Sequence, residues 1–577
     1  MVKLTTMTGG EVLTRCLIEE GIKYVFGVPG DQLYPLLDSI NSSNRIKFVT
    51  FRHEQAAAHA ADAWARTTGA PGVCLGTVGP GAADLVPGVY AAFADSIPMM
   101  VLCAQNQSWR INPDHGSTQG LDQLNLFKPI TKWGATVSHW QRIPHLVHWA
   151  FREALSERPG PVFLDFPSDV LYLKCKEETL EDGIVGTDKY RMTRPPVGDP
   201  GLIAEAANML ANAKFPLLHA GNGVLASNAT NELIALAEYL QAPVTTSVAA
   251  RGSIPEDHPL SLVPASFGAI GAQCQADLVL LVGGRLGDLD FWGRAPGWGD
   301  RASQKLIQID ISPEMIGHNR IVDLAIVGDA KSTLTELLKH IRNRPKAKPR
   351  PEMTDCREAQ DHWLEDFVKQ GKSEQTPIHP LRMIQEIRSF FPRDAISIVD
   401  GGNIAVWAIY LNRIYQPRTF LWPSDSGHLG VGTGYAIGSK LAQPDKDVYV
   451  ISGDGAFMFN VQELETARRL GTAFIIAVAN DRAYGMIKAG QKGLYDERYV
   501  GVDFVDVRYD KIAEAMGCFG IRVKKPEGIA PALQKAKDSG LPAVLDIVID
   551  PDVNLAPPDF SSVASVWLEG CQLPGEE

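Results

Sequence analysis

Short apolar runs alternate with helical patterns along almost the whole chain, and no other feature narrows its possible folds as far. "KYVFGV", "PGVCLGTV", "MMVLCA" and "PVFLDFP" are rich in strand formers and bounded by turn residues. Stretches between them, such as "EQAAAHAADAWARTTG", carry helix formers. A strand that rejoins its sheet through a helix runs parallel to the first, and such a sheet is buried on both faces. The expected fold class is α/β, built from doubly wound parallel sheets.

The rhythm occurs three times, so three such domains are expected, at residues 1–180, 190–344 and 378–555. The second holds "FPLLHAG", "APVTTS", "DLVLLVGG" and "LIQIDI"; the third holds "AISIVDGG", "DVYVIS", "FIIAVAN" and "AVLDIVI". Residues 345–377 begin with the Pro- and charge-rich "PKAKPRPE" and read as a linker. A tail follows at 556–577, whose Trp567 and Leu568 suit packing over another surface.

Net charge is −12, which argues against a nucleic acid or an anionic membrane as partner and leaves a small-molecule substrate. No apolar run reaches the length of a membrane span, and the N-terminus lacks the apolar core of a signal peptide. The 8 cysteines are scattered without CxxC spacing, as expected of free thiols in a reducing, cytoplasmic setting.

The stretch "VISGDGAFMFNVQELETARRLGTAFIIAVAND" carries chemistry. Asp454 follows one expected strand and Asp481 follows the next, 27 positions later. Both therefore lie at the carboxyl edge of one sheet, where open α/β folds bind ligands. Two converging carboxylates repel unless a cation lies between them, and a hard divalent ion such as Mg²⁺ or Ca²⁺ suits oxygen ligands. Gly453 and Gly455 permit a tight turn and close backbone approach, and the following helix, expected over "NVQELETARRLG", points its N-terminus at the same place. The combination reads as a Mg²⁺–diphosphate site.

This stretch resembles the signature of thiamine diphosphate-dependent enzymes, a Gly-Asp-Gly followed about 27 residues later by Asn or Asp. The resemblance covers nearly the whole chain and points to the acetolactate synthase, pyruvate oxidase and decarboxylase superfamily. It implies pyrimidine-binding, central and diphosphate-binding domains in that order. It also implies Asp454, Asp481 and the carbonyl of Ala483 as metal ligands, although most members have a second Asn where this chain has Asp481.

By the same resemblance Glu54, in "RHEQ", is the carboxyl that activates the aminopyrimidine. Burial would keep it protonated. Gly27, Pro29 and Gly30 belong to a first cofactor loop. Gly402 and Asn403, with Gly453, Gly455 and Ala456, would contact the diphosphate. The Gly427 carbonyl would accept from the amino group, and Leu429 would bend the cofactor. Gln119 matches a Gln that reaches the reacting carbon, but its neighbours are Thr118 and Gly120 instead of Phe and Glu. His53, His115 and His428 are further proton-donor candidates. Met486, Ile487 and Gln491 either line the thiazolium side or form a packed helix face.

The resemblance implies a homodimer or homotetramer with sites at the subunit interface. The expected activity is that of a carboligase or decarboxylase (a lyase or transferase in class) acting on small 2-oxo acids, acetolactate synthase-like. The alternatives are a 2-hydroxyacyl-CoA lyase or benzaldehyde lyase-like enzyme, and a non-catalytic cofactor-binding scaffold. The central domain would hold FAD, an adenine nucleotide such as CoA or ADP, or nothing; Arg285, Arg294 and Arg301 are its candidate phosphate contacts.

Overall fold

A computed structural model describes residues 6–180 and 183–558. It holds three parallel sheets in succession along the chain. The first orders its strands Lys47–Thr50, Tyr24–Gly27, Gly72–Gly76, Met99–Gln105, Pro161–Pro167, Trp133–Thr136. The second runs Val244–Thr246, Pro216–Ala220, Leu278–Val282, Lys305–Asp310, Leu324–Val327. The third runs Phe420–Leu421, Ile396–Asp400, Val448–Gly453, Ile475–Asn480, Ala543–Val548, Phe519–Val523. Every pairing within these sheets is parallel. Counted along the chain, the first and third sheets share the order 2-1-3-4-6-5 and are topological copies. In both, the order reverses between strands 1 and 3, which opens a crevice at their carboxyl ends.

Alternate residues of each strand feed different cores. In the first sheet Val25, Val73 and Leu75 point to one face and Phe26 and Cys74 to the other. The second face is shared: Val450, Ile476 and Val478 of the third sheet join the same core. Two helices seal it. Glu54–Thr68 is capped by His53, whose ring accepts from Gln55 N, and is ended by left-handed Gly69. Its alanines lie against the helix Gly432–Ala442. A Cβ on Gly438 would stand 2.3 Å from the Ala60 carbonyl, so the two backbones touch only because the residues are small.

The segment expected as a linker contains a helix, Pro351–Gln370. Pro351 is tolerated because the first helical turn needs no N–H there. Met353, Cys356, Trp363, Leu364 and Phe367 bury one face at helical spacing. Gln360 on that face accepts from Val263 N at 2.7 Å, binding the helix to the second unit. The expected tail contacts of Trp567 and Leu568 lie outside the described residues.

Candidate functional site

The strands Val448–Gly453 and Ile475–Asn480 are neighbours, with Gly453 opposite Ala479, so Asp454 and Asp481 step off the same sheet edge side by side. Both are buried. Asp454 accepts from Gly455 N and Arg482 N at 2.8 Å each. Asp481 accepts from Asn554 Nδ2 at 2.7 Å. Burial raises the Asp454 carboxyl above the usual range and the Asp481 charge raises it further; Asp481 is itself raised by burial. Among the described residues no ion pair reaches either acid. The side-chain oxygens of Asn403 and Asn554, also buried, lack partners. Ala483 is buried, and its N–H turns toward the Asp481 carboxylate. An all-oxygen donor set of negative charge with unmet acceptors fits a hard divalent cation.

At three glycines around the acids the backbone leaves no room for a side chain, whereas Gly453 has space for one. A Cβ on Gly402 would lie 2.8 Å from that of Met486; one on Gly485 would lie 2.9 Å from Asp481 Oδ2; one on Gly455 would lie 2.8 Å from the Tyr484 ring. Helical structure begins at Asp454 itself, earlier than the "NVQEL" expected, and resumes as Glu463–Leu470. Gly453, Gly455 and the buried Ala456 thus form the first turn, and Asn403 opens the helix Asn403–Leu411 beside it. This cradle of small residues suits a diphosphate group.

Glu54 opens its helix at the carboxyl edge of the first sheet, 8% exposed. Burial raises its carboxyl, the Asp84 charge adds to this, and its own N–H and His53 oppose it. A Cβ on Gly81 would stand 3.0 Å from Glu54 Oε1. His53 Nε2 lies 3.8 Å from Asp84. Gly27 and Gly30 are required: a Cβ would meet the Leu75 carbonyl at 2.3 Å and Thr77 Oγ1 at 2.2 Å. Pro29 is exposed beside them.

The loop before the Gly432 helix reaches the Glu54 helix within the same chain. Gln55 Nε2 lies 3.2 Å from His428 Nε2. Burial holds His428 below the usual histidine range. Gly430 N and Gly432 N donate to Asp400 at 2.9 and 2.8 Å, and Asn460 donates to Gly430 O at 2.7 Å. Gly427 is left-handed, φ +59°, with open space around it, and Leu429 is half-buried.

Other candidates are less enclosed. His115 and Gln119 lie exposed on one loop; Gln119 has φ +62°, and its carbonyl abuts Gly79. Ile487 is exposed, and Gln491 is engaged with both backbone groups of Val500. The second sheet forms a crevice of about 640 Å³ at its carboxyl edge, lined by Gly221, Gly223, Gly284, Arg158, Arg285 and Asp310. Asp310 is pushed up to about 6 by burial. Of the three arginines expected there, Arg285 faces the crevice and pairs with Asp425, whereas Arg294 and Arg301 are exposed away from it.

Several residues that shape the site escaped the sequence reading. Glu463, fully buried, accepts from Arg52 N through both oxygens at 3.1 and 3.2 Å, fixing the backbone just before Glu54. Asp400 clamps the 430–432 turn, and Asn554 completes the acid pair. Asn554 lies beyond the strand Ala543–Val548, which neighbours Ile475–Asn480 in the sheet although Phe519–Val523 intervenes in the chain, so the crossover hid it from the sequence reading. Glu463 and Asp400 gave no signal either, because their partners are distant in sequence.

Residues 7–126 match the model of the thiamine pyrophosphate enzyme N-terminal TPP binding domain. Residues 203–337 match the central domain of those enzymes, and 400–547 their C-terminal TPP binding domain. The chain is 36% identical to a probable acetolactate synthase large subunit of Methanococcus aeolicus, over 96% of this chain and 94% of that protein. It is 35% identical to the corresponding protein of Methanocaldococcus jannaschii, over 94% and 92%. To the acetolactate synthase large subunit of Corynebacterium glutamicum it is 34% identical, over 96% and 88%.

Proposed function

The chain belongs to the thiamine pyrophosphate-dependent enzymes, and we propose that it is an acetolactate synthase-like carboligase acting on small 2-oxo acids. Full-length similarity to acetolactate synthases carries this reading. When bound, thiamine diphosphate would supply a nucleophilic carbon and an electron sink for making or breaking a C–C bond.

The protein's part is to hold, orient and protect. Asp454, Asp481 and the Ala483 carbonyl would bind Mg²⁺, and Gly402, Asn403, Gly453, Gly455 and Ala456 the diphosphate. Their support is the all-oxygen, uncompensated donor set and, at Gly402 and Gly455, a cradle that a Cβ would fill. Gly27, Pro29, Gly30, Gly427 and Leu429 would hold the pyrimidine side. Glu54 would keep a proton for the ring nitrogen, as its raised carboxyl allows. Gln119 would reach the reacting carbon as a hydrogen-bonding group, and His53, His115 and His428 would be the groups that move protons at the substrate. The central crevice would take FAD or another adenine nucleotide, with Asp310 accepting from ribose hydroxyls.

A second copy of the chain completes this reading, as a homodimer or homotetramer. Exposed Tyr34, Met458, Phe459 and Ile487, each within a few residues of a cofactor loop, supply apolar surface for it. No helix among the described residues is long and apolar enough to cross a membrane, and the described cysteines are free, in keeping with a cytoplasmic enzyme.

The test incubates protein loaded with thiamine diphosphate and Mg²⁺ with pyruvate, and separately with a 2-hydroxyacyl-CoA. Acetolactate from pyruvate is expected. Formyl-CoA from the thioester alone would replace this reading with the lyase. Glu54→Gln should retain cofactor binding and lose most turnover; product at the wild-type rate would remove Glu54 from the mechanism.

A further inference from the structure

Gln123 is fully buried at the start of a short helix and makes three hydrogen bonds. Its side-chain oxygen accepts from Gly79 N at 2.7 Å. Its amide donates to Ala104 O at 2.9 Å and to Asp165 Oδ1 at 2.8 Å. The other Asp165 oxygen receives Gln105 Nε2 and Thr136 Oγ1, each at 3.3 Å. Gln105 donates also to Leu121 O at 3.1 Å and accepts from Asn106 N at 2.8 Å, while Asn106 donates to Thr118 O at 3.2 Å.

Gly79, held by Gln123, is the turn between the two groups that would face substrate and cofactor. It has φ +66° and caps the helix Pro80–Ala94. On one side a Cβ there would lie 2.4 Å from the Gln119 carbonyl. On the other, Gly81 faces the Glu54 carboxyl and Asp84 approaches His53. The Gln105–Asn106 pair grips Thr118 and Leu121, so the Gln119 backbone is bracketed from both ends. Only an amide serves at position 123, because it must accept from an N–H while donating to a carbonyl and a carboxylate.

We infer that Gln123, backed by Asp165, is a positioning residue that sets the Gly79 turn and through it the relative placement of Glu54 and Gln119. The inference rests on the proposed roles of those two residues. Gln123→Glu keeps an acceptor for Gly79 N but sets a second carboxyl against Asp165; a proton shared between the two acids leaves at most one of the two donated bonds and none to Ala104 O. Gln123→Glu with Asp165→Asn restores a donor and an acceptor between the two positions and leaves Ala104 O unpaired.

The experiment measures steady-state kinetics with pyruvate and hydrogen–deuterium exchange on the loaded enzyme. Gln123→Glu should lower kcat at least tenfold while KM and thiamine diphosphate affinity stay within about threefold. Exchange should quicken at 78–82 and 117–122 but not at 453–457. The double variant should recover kcat to within about fivefold of wild type and restore slow exchange. Should Gln123→Glu not fold, Gln123→Met takes its place with the same single-variant readouts. Wild-type kcat in a folded variant, exchange quickened evenly through residues 6–180, no recovery in the double variant, or failure of both single variants to fold would each overturn the assignment. Absence of turnover in the wild type would strike the proposed function instead, and the exchange comparison would still decide whether Gln123 holds the turn.

Discussion

Arg66→Met removes the cation shared by two buried carboxylates. The guanidinium gives Nε and one terminal nitrogen to Asp62 at 2.8 and 3.1 Å, and the other to Asp95 at 2.7 Å. The arginine side chain is 9% exposed and both aspartates 0%. Tyr435 also donates to Asp62, so the group joins the Glu54 helix to the Gly432 helix. Asp95 keeps the Asp425 N–H as a partner at 3.0 Å, so the acid counted as stranded is Asp62, and leaving one buried acid without its partner costs about 3–5 kcal/mol. The acid can escape by binding a proton; at pH 7 that costs about 4 kcal/mol, three units above the ordinary carboxyl range, which agrees. Burial already raises Asp62, and Arg66 is the main influence lowering it, so its loss raises the carboxyl further. A raised acid contributes stability present at low pH and lost as pH climbs through its folded pKa. The penalty for Arg66→Met should therefore grow from about 1–2 kcal/mol at pH 5 to about 4–5 kcal/mol at pH 8. Urea unfolding followed by tryptophan fluorescence at both pH values measures it. The triple variant with Asp62→Asn and Asp95→Asn should regain most of the loss, since no charge is then stranded. A penalty under about 1 kcal/mol at pH 8, or one equal at both pH values, would refute the reasoning.

Asp454→Asn should weaken Mg²⁺-dependent thiamine diphosphate binding at least 100-fold by calorimetry, on the order expected for losing a charged ligand. In the wild type the same titration should release protons, and affinity should rise between pH 6 and 8, because both carboxylates are raised before the cation arrives. Asp400 is pushed up to about 6 by burial, so wild type loses stability as pH rises toward 6 while Asp400→Asn does not. The variant's stability relative to wild type should improve by about 2 kcal/mol between pH 4 and 7, whatever its absolute value. Gly79→Ala strains a φ of +66° and drives a methyl into the Gln119 carbonyl; a melting point lowered by a few degrees with most turnover lost is expected.

The three sheets, the cofactor class and the pairing of Asp454 with Asp481 were legible in the chain, because each is written in local spacing. A strand needs only a short apolar run, and two acids after successive strands must meet at one edge. The helix at 351–370 was obscured by its Pro-rich approach, although its apolar spacing was present. The contacts that hold the site were decided by the tertiary structure. Glu463 reaches Arg52 across the core joining two units, Asp400 clamps a turn some thirty residues on, and Arg66 reads two acids on different elements. Which arginine faced the crevice was settled in the same way, since Arg285, Arg294 and Arg301 carry the same charge in similar surroundings of sequence. Periodicity states which face of an element is apolar. It does not state which polar group will be buried beside which, and that depends on how separately folded layers come into register.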